Sequence, residues 1–271
     1  MIITQTDIQH IIRELGLSRR PVCAHASLHS LGQVAGGPLA VVEAFSNEGC
    51  TLMLPSFSWT FAVAPPKDQR PPRNGWDYET DRGPFATTDK VYSPTTQEVD
   101  RDMGSIAATV VALPERVRGC HPLCSFSAVG PLADKLVSGQ NHADVCAPLS
   151  VLAREGGHVL LMGLGLESMT LLHLAEREAG RTLFRRWANR TPNHAVMVEV
   201  GGCSEGFRRL EPHLAHLRTR TMVGPSLWHL YPARGVLEAA TKAIGANPDI
   251  THCRNERCER CNDAVAGGPI L

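Results

Sequence analysis

The sequence predicts an α/β fold with a mostly parallel central sheet. Three observations predict it. Between residues 21 and 54 a strand, a helix and a strand follow one another, which is the order of a βαβ unit. Leu149–Arg154, Val159–Met162 and Thr170–Glu178 repeat a helix–strand–helix rhythm further along. The apolar run Val159–Met162 reads as a buried strand that two glycines, Gly163 and Gly165, turn into the next helix.

Each element follows from its local pattern. Ile8, Ile11, Ile12 and Leu15 fall at helical spacing over Asp7–Leu15, and Gly16 stops the helix. Pro21–Ala26 is a short buried strand that runs into the polar loop His25–Gly32. Pro38 suits the first turn of a helix continued by Leu39–Ser46. Cys50–Leu54 is a second strand, closed by Pro55. Residues 60–100 carry Pro65, Pro66, Pro71, Pro72, Pro84 and Pro94 with little periodicity, so an irregular insertion is expected there. Gly104–Leu113 is helical and Cys124–Val129 is strand-like. Thr170 stands where its hydroxyl can cap the helix that carries His173 and Glu176. Ala195–Val200 reads as a strand and Pro232–Ile244 as a helix with Pro at its start and Gly245 at its end. No internal repeat is visible, and the whole chain, 1–271, is expected to form a single domain.

Composition excludes several function classes. Lys+Arg and Asp+Glu both total 27, so the formal charge is zero and no basic stripe marks a nucleic-acid binder. No apolar run is long enough for a transmembrane helix, and no signal peptide is visible, so a cytoplasmic protein is expected. Nine cysteines, mostly scattered, suit a reducing compartment better than a disulfide framework. Gly-x4-Gly-Lys-Ser/Thr, His-Glu-x2-His and Gly-x-Ser-x-Gly are all absent, against a P-loop, a zincin and a nucleophile elbow.

Several constellations remain. His173 and Glu176 are three residues apart on one helix face, the arrangement of a general base and an orienting carboxylate. The loop from His25 to Gly32 offers Ser27, Ser30 and backbone N–H groups to a phosphate or a pantetheine amide. Arg118 precedes His121-Pro122 and a strand, and its guanidinium suits a phosphate. Asp77, Glu79 and Asp81 are taken as the best local supply of acid for a cationic substrate. Cys258-x2-Cys261 is one half of a tetrahedral zinc knuckle; Cys253 and Cys203 can complete it, with His252 as a spare ligand.

Taken in order, these blocks resemble the aminoglycoside 3-N-acetyltransferases, also called antibiotic N-acetyltransferases. The matching pieces are His25-Ala-Ser27-Leu-His-Ser30-Leu-Gly32, Gly49 through Phe57, Met103-Gly104-Ser-Ile106, Arg118-Gly-Cys-His121-Pro122, Ser125-Phe126, Gly163-x-Gly165 through Glu176, and Cys258-x2-Cys261-x2-Ala264. The Thr170-x2-His173-x-Ala175-Glu176 helix is the most specific. The resemblance implies an antibiotic N-acetyltransferase-like α/β sandwich and acetyl-CoA as donor. It implies His173 as catalytic base and Glu176 as its partner. It further implies coenzyme contacts from Ser27, Leu28, Ser30 and Gly32, from Arg118, and from Ser125 and Phe126. The expected function is transfer of an acetyl group to an amine of an aminoglycoside-like antibiotic, by a monomer or a homodimer. Where some relatives write Asn-Asp-His before a cysteine, this chain reads Gly201-Gly202-Cys203. Val111 and Gly119 depart from the family pattern as well. These departures keep two alternatives in view: a biosynthetic N-acyltransferase for another small amine, and a non-catalytic coenzyme A-binding module.

Overall fold

The protein is seen here in a computed structural model that describes residues 2–79 and 89–271. Twelve strands are present among the described residues. In chain order they are β1 (Ile2–Ile3), β2 (Pro21–Ala26), β3 (Gln33–Val34), β4 (Thr51–Pro55), β5 (Ala62–Val63) and β6 (Val117–Arg118), followed by β7 (Phe126–Val129), β8 (His158–Met162), β9 (Phe184–Thr191), β10 (His194–Val200), β11 (Thr219–Val223) and β12 (Ser226–Pro232). Seven of them form the central sheet in the order β11-β12-β8-β2-β4-β7-β6.

The pairings β8-β2 and β2-β4 are parallel, and the outer pairings are antiparallel. Five of the seven strands nevertheless run the same way, because only β12 and β7 are reversed. The parallel character expected from the sequence therefore belongs to the middle of the sheet. The antiparallel flanks come partly from elements that periodicity did not reveal. The hairpin β11–β12 mixes Arg220, His229 and Thr219 with apolar residues, and β9 interrupts its apolar residues with Arg185, Arg186, Asn189 and Arg190. Strand β9 belongs to a smaller sheet, β10-β9-β5, built partly from the Pro-rich insertion.

Nine α-helices among the described residues pack around these sheets. Helices α1 (Gln5–Glu14), α2 (Gly37–Asn47) and α3 (Gly104–Ala112) cover one face. Helices α4 (Ala133–Val137), α5 (Ala147–Arg154), α6 (Leu171–Glu178), α7 (Glu211–Leu214) and α8 (Ala233–Ala246) pack on the other, and α9 (Glu259–Val265) closes the chain. The sorting follows the two-residue period of a strand. Val22, Ala24, Leu52, Leu54, Leu160 and Met162 enter the first core. Their neighbours Cys23, Met53, Val159 and Leu161 enter the second. Helix α1 starts at a capping box that the sequence reading overlooked: Thr4 and Asp7 satisfy each other's backbone N–H groups.

The turn after β8 shows why glycine is required there. Gly163 has φ +69, and a Cβ on it would lie 2.1 Å from the Ser30 hydroxyl oxygen. The loop after β2 and the turn after β8 thus press together at the carboxyl ends of the parallel strands, where open α/β sheets place their ligands. No helix among the described residues is long and apolar enough to cross a membrane.

Candidate active site

A cleft of ≈ 320 Å³ opens at those carboxyl ends. Its walls come from the end of β2 (His25), the segment after β4 (Phe57, Trp59), the turn and helix after β8 (Glu167, Thr170, His173) and the segment after β10 (Gly201, Phe207).

His173 and Glu176 meet as their spacing predicts. The His173 Nδ1 lies 2.8 Å from Glu176 Oε2, and the two side chains are 13% and 5% exposed. In the neutral ring this contact selects the tautomer, with Nδ1–H donating to the carboxylate and the lone pair on Nε2. The other carboxylate oxygen accepts from Arg181 and from the Thr251 hydroxyl, and Arg181 also donates to the Pro248 carbonyl. Thr251 carries no sequence signal, since it lies 75 residues from Glu176, while Arg181 lies five residues on, beyond the end of α6. The ring itself rests between Phe207, edge-on at 4.9 Å, and the backbone of Gly201. A Cβ on Gly201 would stand 2.5 Å from His173 Cδ2, so only glycine fits there.

A second histidine lines the cleft. His25 Nε2 sits 3.4 Å from the Thr170 hydroxyl oxygen, and burial pushes the His25 pKa down to about 4. Thr170 stands at the N-cap position of α6, but its hydroxyl makes no capping bond and turns toward His25 instead. Two thiols, Cys124 and Cys146, also line the cleft, and burial raises both.

Other predicted residues lie elsewhere. Ser27, Leu28, Ser30 and Gly32 adjoin the cleft through Ala26 without lining it. Much of their hydrogen bonding is internal: Ser27 N–H donates to Met162, Ser30 N–H to Ser27, and the Ser30 hydroxyl to the Ser27 carbonyl. Arg118 is not available to a coenzyme phosphate. It is 5% exposed, and its guanidinium donates to the carbonyls of Ser56, Thr96 and Glu98 and to the hydroxyls of Ser58 and Ser125. Its fork suits these convergent oxygens as well as it would suit a phosphate, so the residue type alone does not distinguish the two roles. Ser125 is buried and donates to the Ser56 carbonyl, whereas Phe126 does line the cleft. Asp77 and Glu79 sit in a turn where Glu79 N–H donates to Asp77, and neither reaches the cleft. Asp81 lies outside the described residues. The acids that line the cleft are Asp102 and Glu167. Asp102 ends the run Glu98-x-Asp100-x-Asp102, whose spacing equals that of Asp77, Glu79 and Asp81 and could have pointed to it; Glu167 stands alone in sequence.

The cysteines converge as expected. The sulfurs of Cys203, Cys253, Cys258 and Cys261 all lie within 4.8 Å of one another. Four thiolates on a tetrahedral zinc stand ~3.8 Å apart, from Zn–S bonds of about 2.3 Å. A small contraction of this cluster reaches that geometry. His252 is engaged elsewhere, with Nε2 against Asn262 Oδ1 at 2.9 Å.

The profile of the family described as Aminoglycoside 3-N-acetyltransferase matches residues 23–244. The chain belongs to this acetyltransferase family. It is 35% identical over 268 residues to aminoglycoside N(3)-acetyltransferase VII of Streptomyces paromomycinus, covering 87% of this chain and 89% of that protein. The aminoglycoside N(3)-acetyltransferase IV of a Salmonella species is 27% identical and covers 83% of this chain and 81% of its own length. Among solved structures, the apoenzyme of aminoglycoside acetyltransferase AAC(3)-IVa superposes with a TM-score of 0.77 at 25% identity, over 98% of both chains. YokD from Bacillus subtilis gives 0.71 at 26% identity, over 90% of this chain and all of that one. This aminoglycoside 3-N-acetyltransferase family member therefore shares the family fold almost end to end.

Proposed function

We propose that this protein transfers the acetyl group of acetyl-CoA to an amine of an aminoglycoside-type acceptor, with His173 as general base. One observation carries the reading: a cleft-lining imidazole whose Nδ1 is anchored at 2.8 Å by a buried carboxylate, leaving Nε2 for the substrate. A solved relative in complex with a gentamicin and another with CoASH support the pairing of acceptor and donor.

The acceptor amine loses a proton to His173 Nε2 as its lone pair attacks the thioester carbonyl. The imidazolium is stabilised by Glu176, itself held by Arg181. The new C–N bond forms, the C–S bond breaks, and the departing thiolate takes up a proton to leave as coenzyme A. The Ser27–Gly32 loop and Phe126 supply donor contacts in this reading, and Asp102 and Glu167 face a cationic acceptor. The four cysteines hold a structural Zn²⁺, because four protein ligands leave no open coordination position for catalysis. The chain acts as one domain, since the central sheet draws on residues 21 to 232.

The apolar lining from Leu54, Phe57, Phe126 and Leu149 favours a second acceptor class, a small amine with an apolar body. Thiol release from acetyl-CoA against aminoglycosides and simple amines separates the two. In the same assay His173→Ala lowers kcat by about 10²–10⁴-fold with KM little changed. Near-normal turnover by folded His173→Ala would remove the proposed base.

A further inference from the structure

Both members of the dyad lean on residues that stand two positions before a cysteine of the four-sulfur cluster. The His173 ring packs on Gly201, and Cys203 follows. Glu176 Oε1 accepts from the Thr251 hydroxyl at 3.3 Å, and Cys253 follows. Thr251 also accepts from Arg181 at 2.8 Å, so it touches both partners of the buried carboxylate system. Neither supporting segment is regular structure around its cysteine: residues 201–204 lie between a strand and a short turn, and residues 252–258 form the loop before α9. The loop is pinned by Cys253 N–H donating to the Cys261 sulfur at 3.4 Å and by Arg254 N–H donating to His252.

We propose that a metal ion bound by Cys203, Cys253, Cys258 and Cys261 positions the His173–Glu176 dyad by locking these two segments against each other. The proposal rests on the zinc reading above and goes beyond a structural staple. Two residues of extended chain span at most about 7 Å, so a shift at either cysteine is delivered to the dyad with little slack. Misplacing a reacting group by about 1 Å costs on the order of 10² in rate. Cys203, Cys253, Cys258 and Cys261 are thus positioning residues acting through Gly201 and Thr251.

The test uses the full-length protein as purified, Cys258→Ser, and Gly201→Ala. Metal is counted by elemental analysis, and Co²⁺ replacement is followed by its thiolate charge-transfer absorption. The His173 Nδ1–H is followed by proton NMR and assigned by its loss in His173→Ala. The expected result is about one Zn²⁺ per wild-type chain and a tetrahedral cobalt spectrum. Folded Cys258→Ser should lack the metal, lose the His173 N–H signal and fall about 10²-fold in kcat, with the acetyl-CoA KM nearly unchanged. Cys258→His, which restores a zinc ligand, should recover metal, signal and rate together. Gly201→Ala should lose the signal and the rate while keeping its metal. If Cys258→Ser does not fold, chelation and reloading of wild-type protein give the same comparison. A folded, metal-free protein that keeps the His173 signal and wild-type kcat overturns the coupling, as does wild-type protein that turns over with four titratable thiols and no metal. Wild-type protein whose His173 signal follows the metal but which transfers no acetyl group sinks the acyl-transfer reading and leaves the coupling standing.

Discussion

At residue scale the dyad shows how a catalytic histidine is held by more than its immediate partner. Glu176 is nearly fully buried and is offset by Arg181, itself about as buried. Removing one member of such a pair strands the other charge. Glu176→Ala is expected to destabilise the fold by about 3–5 kcal/mol, read as a lower denaturation midpoint. Glu176→Gln keeps an oxygen for Arg181 but presents an amide to His173, which disfavours the productive tautomer. Its expected signature is a loss of kcat larger than its loss of stability, measured on the same preparation. A kcat near wild type would show that Glu176 serves the fold alone. The spacing of His173 and Glu176 was legible in the sequence because both lie on one helix turn. Gly201 and Thr251 were not, because tertiary contact brings them in from the segment after β10 and from a segment 75 residues away; Arg181 is near in sequence but lies past the end of α6, outside the helical spacing.

At the scale of elements, Arg118 explains how the irregular insertion is tied down. Its donors hold the carbonyls of Thr96 and Glu98 against the end of β4, and the Tyr92 hydroxyl donates to Gly119 beside it. The strap then leads through Asp100, whose carboxylate accepts from Trp59 N–H, to Asp102 and Met103 in the cleft wall. Arg118→Leu is expected to cost about 1–3 kcal/mol for each buried carbonyl left without a donor. Acetyl-CoA affinity, measured by calorimetry, should survive in the folded variant. A loss of affinity at full stability would return Arg118 to the coenzyme. Helices α1, α2, α3, α5, α6 and α8 and the central strands were readable from period and punctuation, whereas α4, α7 and α9, of four to seven residues, are too short to show a period. The hairpin β11–β12 and strand β9 were not, since charged and polar residues interrupt their alternation and pairing with an existing sheet decides their state.

For the whole molecule, two buried histidines link stability to pH. His121 accepts from the N–H groups of Leu123 and Cys124 at Nδ1, and its Nε2 lies 2.7 Å from the Glu199 carbonyl oxygen, which requires a proton on Nε2. A second proton on the ring would face two N–H groups, and burial holds its pKa at about 4, as it does for His25. The unfolded chain, with pKa near 6.5, therefore binds protons before the folded one does. Stability is full above about pH 6.5 and falls as pH drops toward 4, by up to about 3 kcal/mol for each histidine. Thermal melts between pH 7 and 4 should show this decline. His121→Gln should flatten it while lowering the plateau. A decline that His121→Gln leaves unchanged would assign the acid sensitivity to other groups.

The cleft gathers residues from Ala24 to Phe207, across some two thirds of the 271-residue sequence. No short stretch of the sequence carries it. Activity is therefore a report on completed folding: on refolding, catalytic recovery should trail the return of helical signal, because the most distant contacts close last. A polypeptide cut short before its final wall is synthesised is inert, however well its early strands have formed.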